Sequence, residues 1–107
     1  MASSPALNEH RNTTRLDVRF NAGLREPGSS QKFSVDVIDL SMTGFRFETS
    51  FTLKPEQKVF VTIPGISTLE ATVAWGRGYV YGAKFNAPLY GSVFDLIAAK
   101  HRASGKR

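Results

Sequence analysis

Six short stretches with an apolar residue at every second position, too closely spaced for a helix between them, restrict the fold of this chain more than any other feature. Leu16, Val18, Phe20 and Ala22 alternate with Asp17, Arg19 and Asn21, the period of a strand with one buried face. Phe33, Val35 and Val37 repeat the pattern, as do Phe45 and Phe47 around Arg46, and Val59, Val61 and Ile63 around Phe60 and Thr62. Leu69, Ala71, Val73 and Trp75 form a fifth run, which places Trp75 among the packing residues, and Tyr79, Tyr81, Ala83 and Phe85 a sixth. Turn chemistry separates them: Glu26-Pro27-Gly28-Ser29-Ser30, Pro64-Gly65 and Gly76-Arg77-Gly78, where proline presets φ and glycine accepts a positive one. Parallel pairing needs a long crossover that these gaps do not supply, so an antiparallel meander is expected. Six short strands that must hide their edges close most readily into a barrel. The expected fold is all-β, a six-stranded antiparallel β-barrel.

The period lengthens after Pro88. Leu89, Val93 and either Leu96 or Ile97 fall on one helical stripe, with Tyr90, Phe94 and Ala98 beside it, which predicts one C-terminal α-helix packed on the barrel and sealing an open end. Asn86 and Ser92 both have the chemistry of an N-cap.

At 107 residues the chain is one domain's worth, enough for a modest core and too little for two. It has no cysteine and only two separated histidines, which excludes disulfides, thiolate metal sites and cysteine nucleophiles. No run reaches the ~20 apolar residues of a spanning helix, and Met1–Asn8 lacks the apolar stretch of a signal peptide, so a cytoplasmic protein without a membrane span is expected. Residues 1–8 and 102–107 read as a flexible N-terminus and a basic disordered tail around a domain spanning 9–101. The formal net charge is +5, of which Lys100, Arg102, Lys106 and Arg107 supply four, leaving the remainder at +1. Charge gathered in a tail is weak support for a nucleic-acid-binding body.

Inside the second run the alternation slips, because Phe33, Val35 and Val37 share one parity whereas Ile38 and Leu40 share the other. Such a phase change marks a bulge or bend, a device common beside binding sites. It falls immediately before Asp39-Leu40-Ser41-Met42-Thr43-Gly44, a D-x-S-x-x-G turn. Upstream, Arg11-Asn12-Thr13-Thr14-Arg15 forms an R-x-x-x-R just before the first strand. Arginine's planar fork grips guanine O6 and N7, stacks on purine faces and clamps phosphates bidentately. A carboxylate at Asp39 suits guanine N1–H and N2–H₂, a hydroxyl at Ser41 with nearby backbone N–H groups suits an anion, and Gly44 permits a positive φ or a close ligand approach. Each half also has a plainer reading, since Asp, Ser and Gly are ordinary turn residues and lone arginines are commonly solvated.

Together, the two motifs resemble the signature of the PilZ domain family, small bacterial β-barrels that bind cyclic di-GMP. The resemblance extends from about Glu9 to His101 and includes Val73-Ala74-Trp75 and the G-x-x-F segment Gly82-Ala83-Lys84-Phe85. The separation of 24 positions from Arg15 to Asp39 leaves room for the one hairpin the family places there. The resemblance implies that Arg11 and Arg15 grip guanines and phosphates from a mobile arm, and that Asp39, Ser41 and Gly44 hold the ligand on the barrel surface. Trp75 and Gly82 would border that surface. His10 and Asn12 flank Arg11 where the family often adds a basic residue, and Thr43 stands where a second glycine is frequent.

The function this implies is a cyclic di-GMP receptor, a ligand-driven conformational switch acting on an unidentified protein partner. Two other classes compete: a PilZ-like protein adaptor with no ligand, and a nucleic-acid-binding barrel of the OB or cold-shock kind, which the alternation disfavours by placing most of Phe45, Phe47, Tyr79 and Tyr81 in the core. No Ser/His/Asp order, phosphate loop or acid–base pair suggests an enzyme, and neither a cofactor nor a metal is called for.

Overall fold

The computed structural model describes residues 15–103. Six strands appear in order, β1 (Leu16–Arg25), β2 (Lys32–Leu40), β3 (Gly44–Glu48), β4 (Lys58–Ile63), β5 (Ser67–Arg77) and β6 (Val80–Phe85), followed by one helix, α1 (Gly91–His101). They close into an antiparallel barrel in the order β1-β2-β3-β6-β5-β4. The barrel and its C-terminal helix are as the alternation implies, but the meander is not. Two three-stranded meanders, β1-β2-β3 and β4-β5-β6, are joined so that β3 pairs with β6 and β4 with β1. The connection from β3 to β4 crosses the barrel, and the buried Leu53 inside it is fixed by its N–H donating to the Tyr81 hydroxyl at 3.1 Å.

Burial follows the period-two pattern. Val18, Ala22 and Leu24 from β1, Val35 and Val37 from β2, Phe47 from β3, Val59 and Val61 from β4 and Ala71 and Val73 from β5 form one continuous interior. Each fully buried aliphatic or aromatic side chain of this kind contributes about 1.5–3 kcal/mol, so the interior dominates stability. The β1–β2 hairpin closes on Pro27-Gly28, with Gly28 at φ 83° and the Ser29 N–H bonded to the Glu26 carbonyl at 3.1 Å. That positive φ is where glycine is needed.

The β1–β4 seam is short, three residue pairs at Gly23–Arg25. Beyond it, β1 is met by the end of α1: Val18 bridges Arg102, and the Ala103 N–H donates to the Asp17 carbonyl at 3.0 Å. Arg102 and Ala103, the first two residues of the expected tail, thus have backbone partners along β1. Residues 1–8 and 104–107 lie outside the described residues.

Helix α1 packs on β1 through Ile97, which is fully buried, with Val93 and Phe94 beside it, and the His101 ring lies 4.4 Å from that of Phe20. Of the two candidates for the stripe, Ile97 is chosen and Leu96 is exposed. Neither expected N-cap acts as one. Tyr90 occupies the cap position without a side-chain bond, while Asn86 instead links Glu70 and Thr72 of β5.

Candidate functional site

The expected bend in β2 is present. Val37 faces Phe47 and Asp39 faces Arg46, so β2 carries one residue more than β3 across this interval. The extra residue changes the phase of the strand and sets Asp39 opposite Arg46. The Asp39 carboxylate is 3% exposed and accepts from Arg15 Nη1 at 3.1 Å on one oxygen and from Arg46 Nε at 2.5 Å on the other. Both guanidiniums remain about half exposed. A buried carboxylate thus orients two cations whose outer edges are free.

The turn after Asp39 is built by Ser41. Its buried Oγ accepts from the Thr43 and Gly44 backbone N–H groups at 3.2 and 3.1 Å, and its own N–H donates to the Gly44 carbonyl at 2.8 Å. The Met42 and Thr43 carbonyls accept from Leu89 and Phe85 N–H, each at 2.8 Å. The turn is therefore tied to the end of β6 and the approach to α1. Ser41 spends its hydroxyl within the turn rather than presenting it outward.

Gly44 is not in the left-handed region. A Cβ there would collide with the Ala83 carbonyl of β6, so the close approach it permits is that of a neighbouring strand.

A second bulge completes the site. Val73 faces Ala83 and Trp75 faces Gly82, so β5 also carries an extra residue at this point. The parity of the fifth run is broken, and Trp75, expected among the packing residues, is turned outward and is 40% exposed. Its indole lies across Gly82, where a Cβ would strike Nε1 and Cε2. Asp39, Arg46, Gly82 and Trp75 consequently form one cross-strand row over β2, β3, β6 and β5. Tyr79, at the β5–β6 turn, is also exposed, whereas Phe45, Phe47 and Tyr81 are buried as expected.

Arg15, Arg46, Trp75, Gly82 and Lys84 line a cleft of about 260 Å³. Larger grooves exist, including one of about 410 Å³ on α1 lined by Asp95, Ala98, Ala99 and Arg102. That groove offers one acid, one base and no aromatic face, whereas the cleft combines three cations with an exposed indole. Planar cations and an aromatic plane are the groups that recognise phosphates and bases. Among the described residues, no group of acidic or histidine side chains is placed to hold a metal ion, and no helix is long and apolar enough to cross a membrane.

The pattern of the PilZ domain matches residues 9–96, which takes in both motifs, all six strands and the first half of α1. The chain belongs to the PilZ domain family. PilZ domains are receptor modules that bind cyclic di-GMP, not enzymes. No curated protein matches the chain.

Of the five residues expected from the PilZ signature, Arg15 and Asp39 meet directly, and Ser41 and Gly44 build the turn beside them. Arg11 lies outside the described residues. Arg46 and Lys84 were not anticipated. Arg46 had a visible signal, its outward parity between the buried Phe45 and Phe47, but its partner across the sheet depends on the bulge in β2. For Lys84 the signal was only its place in the G-x-x-F segment.

Proposed function

We propose that this PilZ domain binds cyclic di-GMP in the cleft between Arg15, Arg46, Trp75 and Lys84, with Arg11, Arg15, Asp39, Ser41 and Gly44 as the motif residues of the site. The observation that carries this reading is the buried Asp39 carboxylate holding Arg15 and Arg46 beside the exposed Trp75 indole. An anion with two purine rings suits that arrangement, since the outer edges of the guanidiniums attract phosphate and the indole offers a face to a base. Arg15 meets a phosphate or guanine edge through the outer side of its fork, and Trp75 supplies a face for a purine. Asp39 fixes the arginines, and accepts from guanine N1–H and N2–H₂ when one guanidinium swings toward the ligand. Ser41 and Gly44 keep the turn in place. Catalysis has no part in this function.

Arg15 is the last residue of its motif and enters β1 directly, so a ligand held by Arg11 and Arg15 pulls the preceding segment onto the barrel. The resulting surface is the output of a cytoplasmic second-messenger receptor, presented to a protein partner. Calorimetric titration of cyclic di-GMP into the protein tests the binding, with Arg15→Ala as control and GMP and a linear dinucleotide as competitors. Saturable binding at micromolar concentration or tighter, abolished in the variant, is expected. Heat equal in protein and variant would remove the site. Hydrogen exchange tests the switch: protection of residues 9–15 that does not change on ligand addition would retire it.

A further inference from the structure

We infer that Lys84, which belongs to neither motif, is a phosphate-binding residue of the cleft and adds to the positive charge that meets the ligand's two phosphates. This rests on the cyclic di-GMP reading and deepens it. Arg15 and Arg46 share one carboxylate, so the three form a group of net charge +1. A ligand with two phosphates carries two negative charges, so further cations have to complete the match, Arg11 of the first motif and Lys84 among them.

Lys84 lies on the same strand as Gly82 and two residues beyond it, hence on the same face and about 6.8 Å further along. That distance is comparable to the reach of a lysine side chain. It is exposed, lines the cleft and has no carboxylate within 4.0 Å among the described residues. Its cross-strand neighbours leave it unneutralised. Gly44 on one side has no side chain, and Thr72 on the other is uncharged, with its hydroxyl donating to Asn86 Oδ1 at 3.2 Å. Glu70, the acid further along β5, is turned to Asn86 Nδ2 at 3.0 Å. A lysine that only protects a sheet edge belongs on an edge strand, but β6 is paired on both sides, with β3 and β5. Its position is explained by the cleft it faces.

The test is cyclic di-GMP affinity as a function of salt for the unmodified protein, Lys84→Ala and Lys84→Arg. Lys84→Ala is expected to weaken binding ~3–10-fold at 50 mM salt through loss of one partly exposed charge contact, with the gap closing to under about twofold near 0.5 M as screening removes that contact. Lys84→Arg is expected to restore affinity and the steeper salt dependence. A thermal melt unchanged in Lys84→Ala ensures that the loss reflects binding. Ligand affinity and salt dependence identical in Lys84→Ala and the unmodified protein would overturn the assignment while leaving the ligand reading intact. No binding by the unmodified protein would overturn both.

Discussion

Asp39 in β2 sits directly across the sheet from Arg46 in β3, and its carboxylate takes the Arg46 Nε–H at 2.5 Å while being almost wholly removed from solvent. The pair survives burial of the carboxylate because a second cation, Arg15, covers the other oxygen. Removing the acid leaves two guanidiniums close together without a counter-charge, whereas removing one arginine leaves the carboxylate one partner.

Asp39→Ala is therefore expected to destabilise the fold by about 1–3 kcal/mol, since it strips the charge-assisted bonds from two half-exposed cations. Arg46→Ala should cost less, about 1 kcal/mol, because half-exposed guanidiniums are partly screened and Arg15 still serves Asp39. Urea denaturation midpoints measure both. Equal losses would show that the carboxylate does not depend on sharing.

Gly44 and Gly82 would each acquire an impossible contact on gaining a methyl group, but with different neighbours. Gly44→Ala drives a Cβ into the Ala83 carbonyl, a backbone atom of a paired strand, and should lower stability by about 2–3 kcal/mol as overpacking does. Gly82→Ala meets first the indole of Trp75, which is 40% exposed and has solvent to move into, so stability should fall by under about 1 kcal/mol. Its signature is instead a shifted Trp75 emission, which reports on this site alone because the chain has one tryptophan.

Trp75→Ala should leave the core unchanged and weaken cyclic di-GMP binding ~10-fold, within the range of base–aromatic stacking. Quenching of Trp75 fluorescence on titration gives the same information without a variant. Affinity that is indifferent to the indole would remove Trp75 from the site.

Ser41→Ala deprives the Thr43 and Gly44 N–H groups of their acceptor inside a buried turn. A loss of about 1–3 kcal/mol is expected, read by thermal or urea unfolding. Ser41→Thr keeps the oxygen and should recover part of it. A fully stable alanine variant would show that other contacts hold this turn.

Glu56 adopts φ 71° at the third position of the Lys54–Gln57 turn, with its N–H donating to the Val73 carbonyl at 2.7 Å. An exposed non-glycine residue in the left-handed region is strained, so Glu56→Gly should stabilise the protein by about 1 kcal/mol. A lower melting temperature in that variant would contradict this.

Much of the fold was legible in the chain because a strand with one buried face must alternate. Val18, Val35, Phe47, Val61 and Val73 are at buried positions of that pattern and are all in the interior. The slip at Ile38 was equally visible, since a bulge leaves a parity change behind it. Trp75 shows where the same reasoning fails. Its parity with Val73 is a fact of sequence, but the bulge that cancels it is a matter of how β5 meets β6, and no residue in β5 announces it.

Alternation and turn chemistry determined that this chain forms a six-stranded barrel followed by a C-terminal helix, and the Arg11–Arg15 and Asp39–Gly44 motifs pointed to its family. Which strands pair was left to the tertiary structure, because closing β3 on β6 and β4 on β1 depends on the whole interior being buried at once. The cleft was decided at the same level. Arg46, Gly82, Trp75 and Lys84 come from three strands, and only the registers imposed by two bulges bring their side chains to one place.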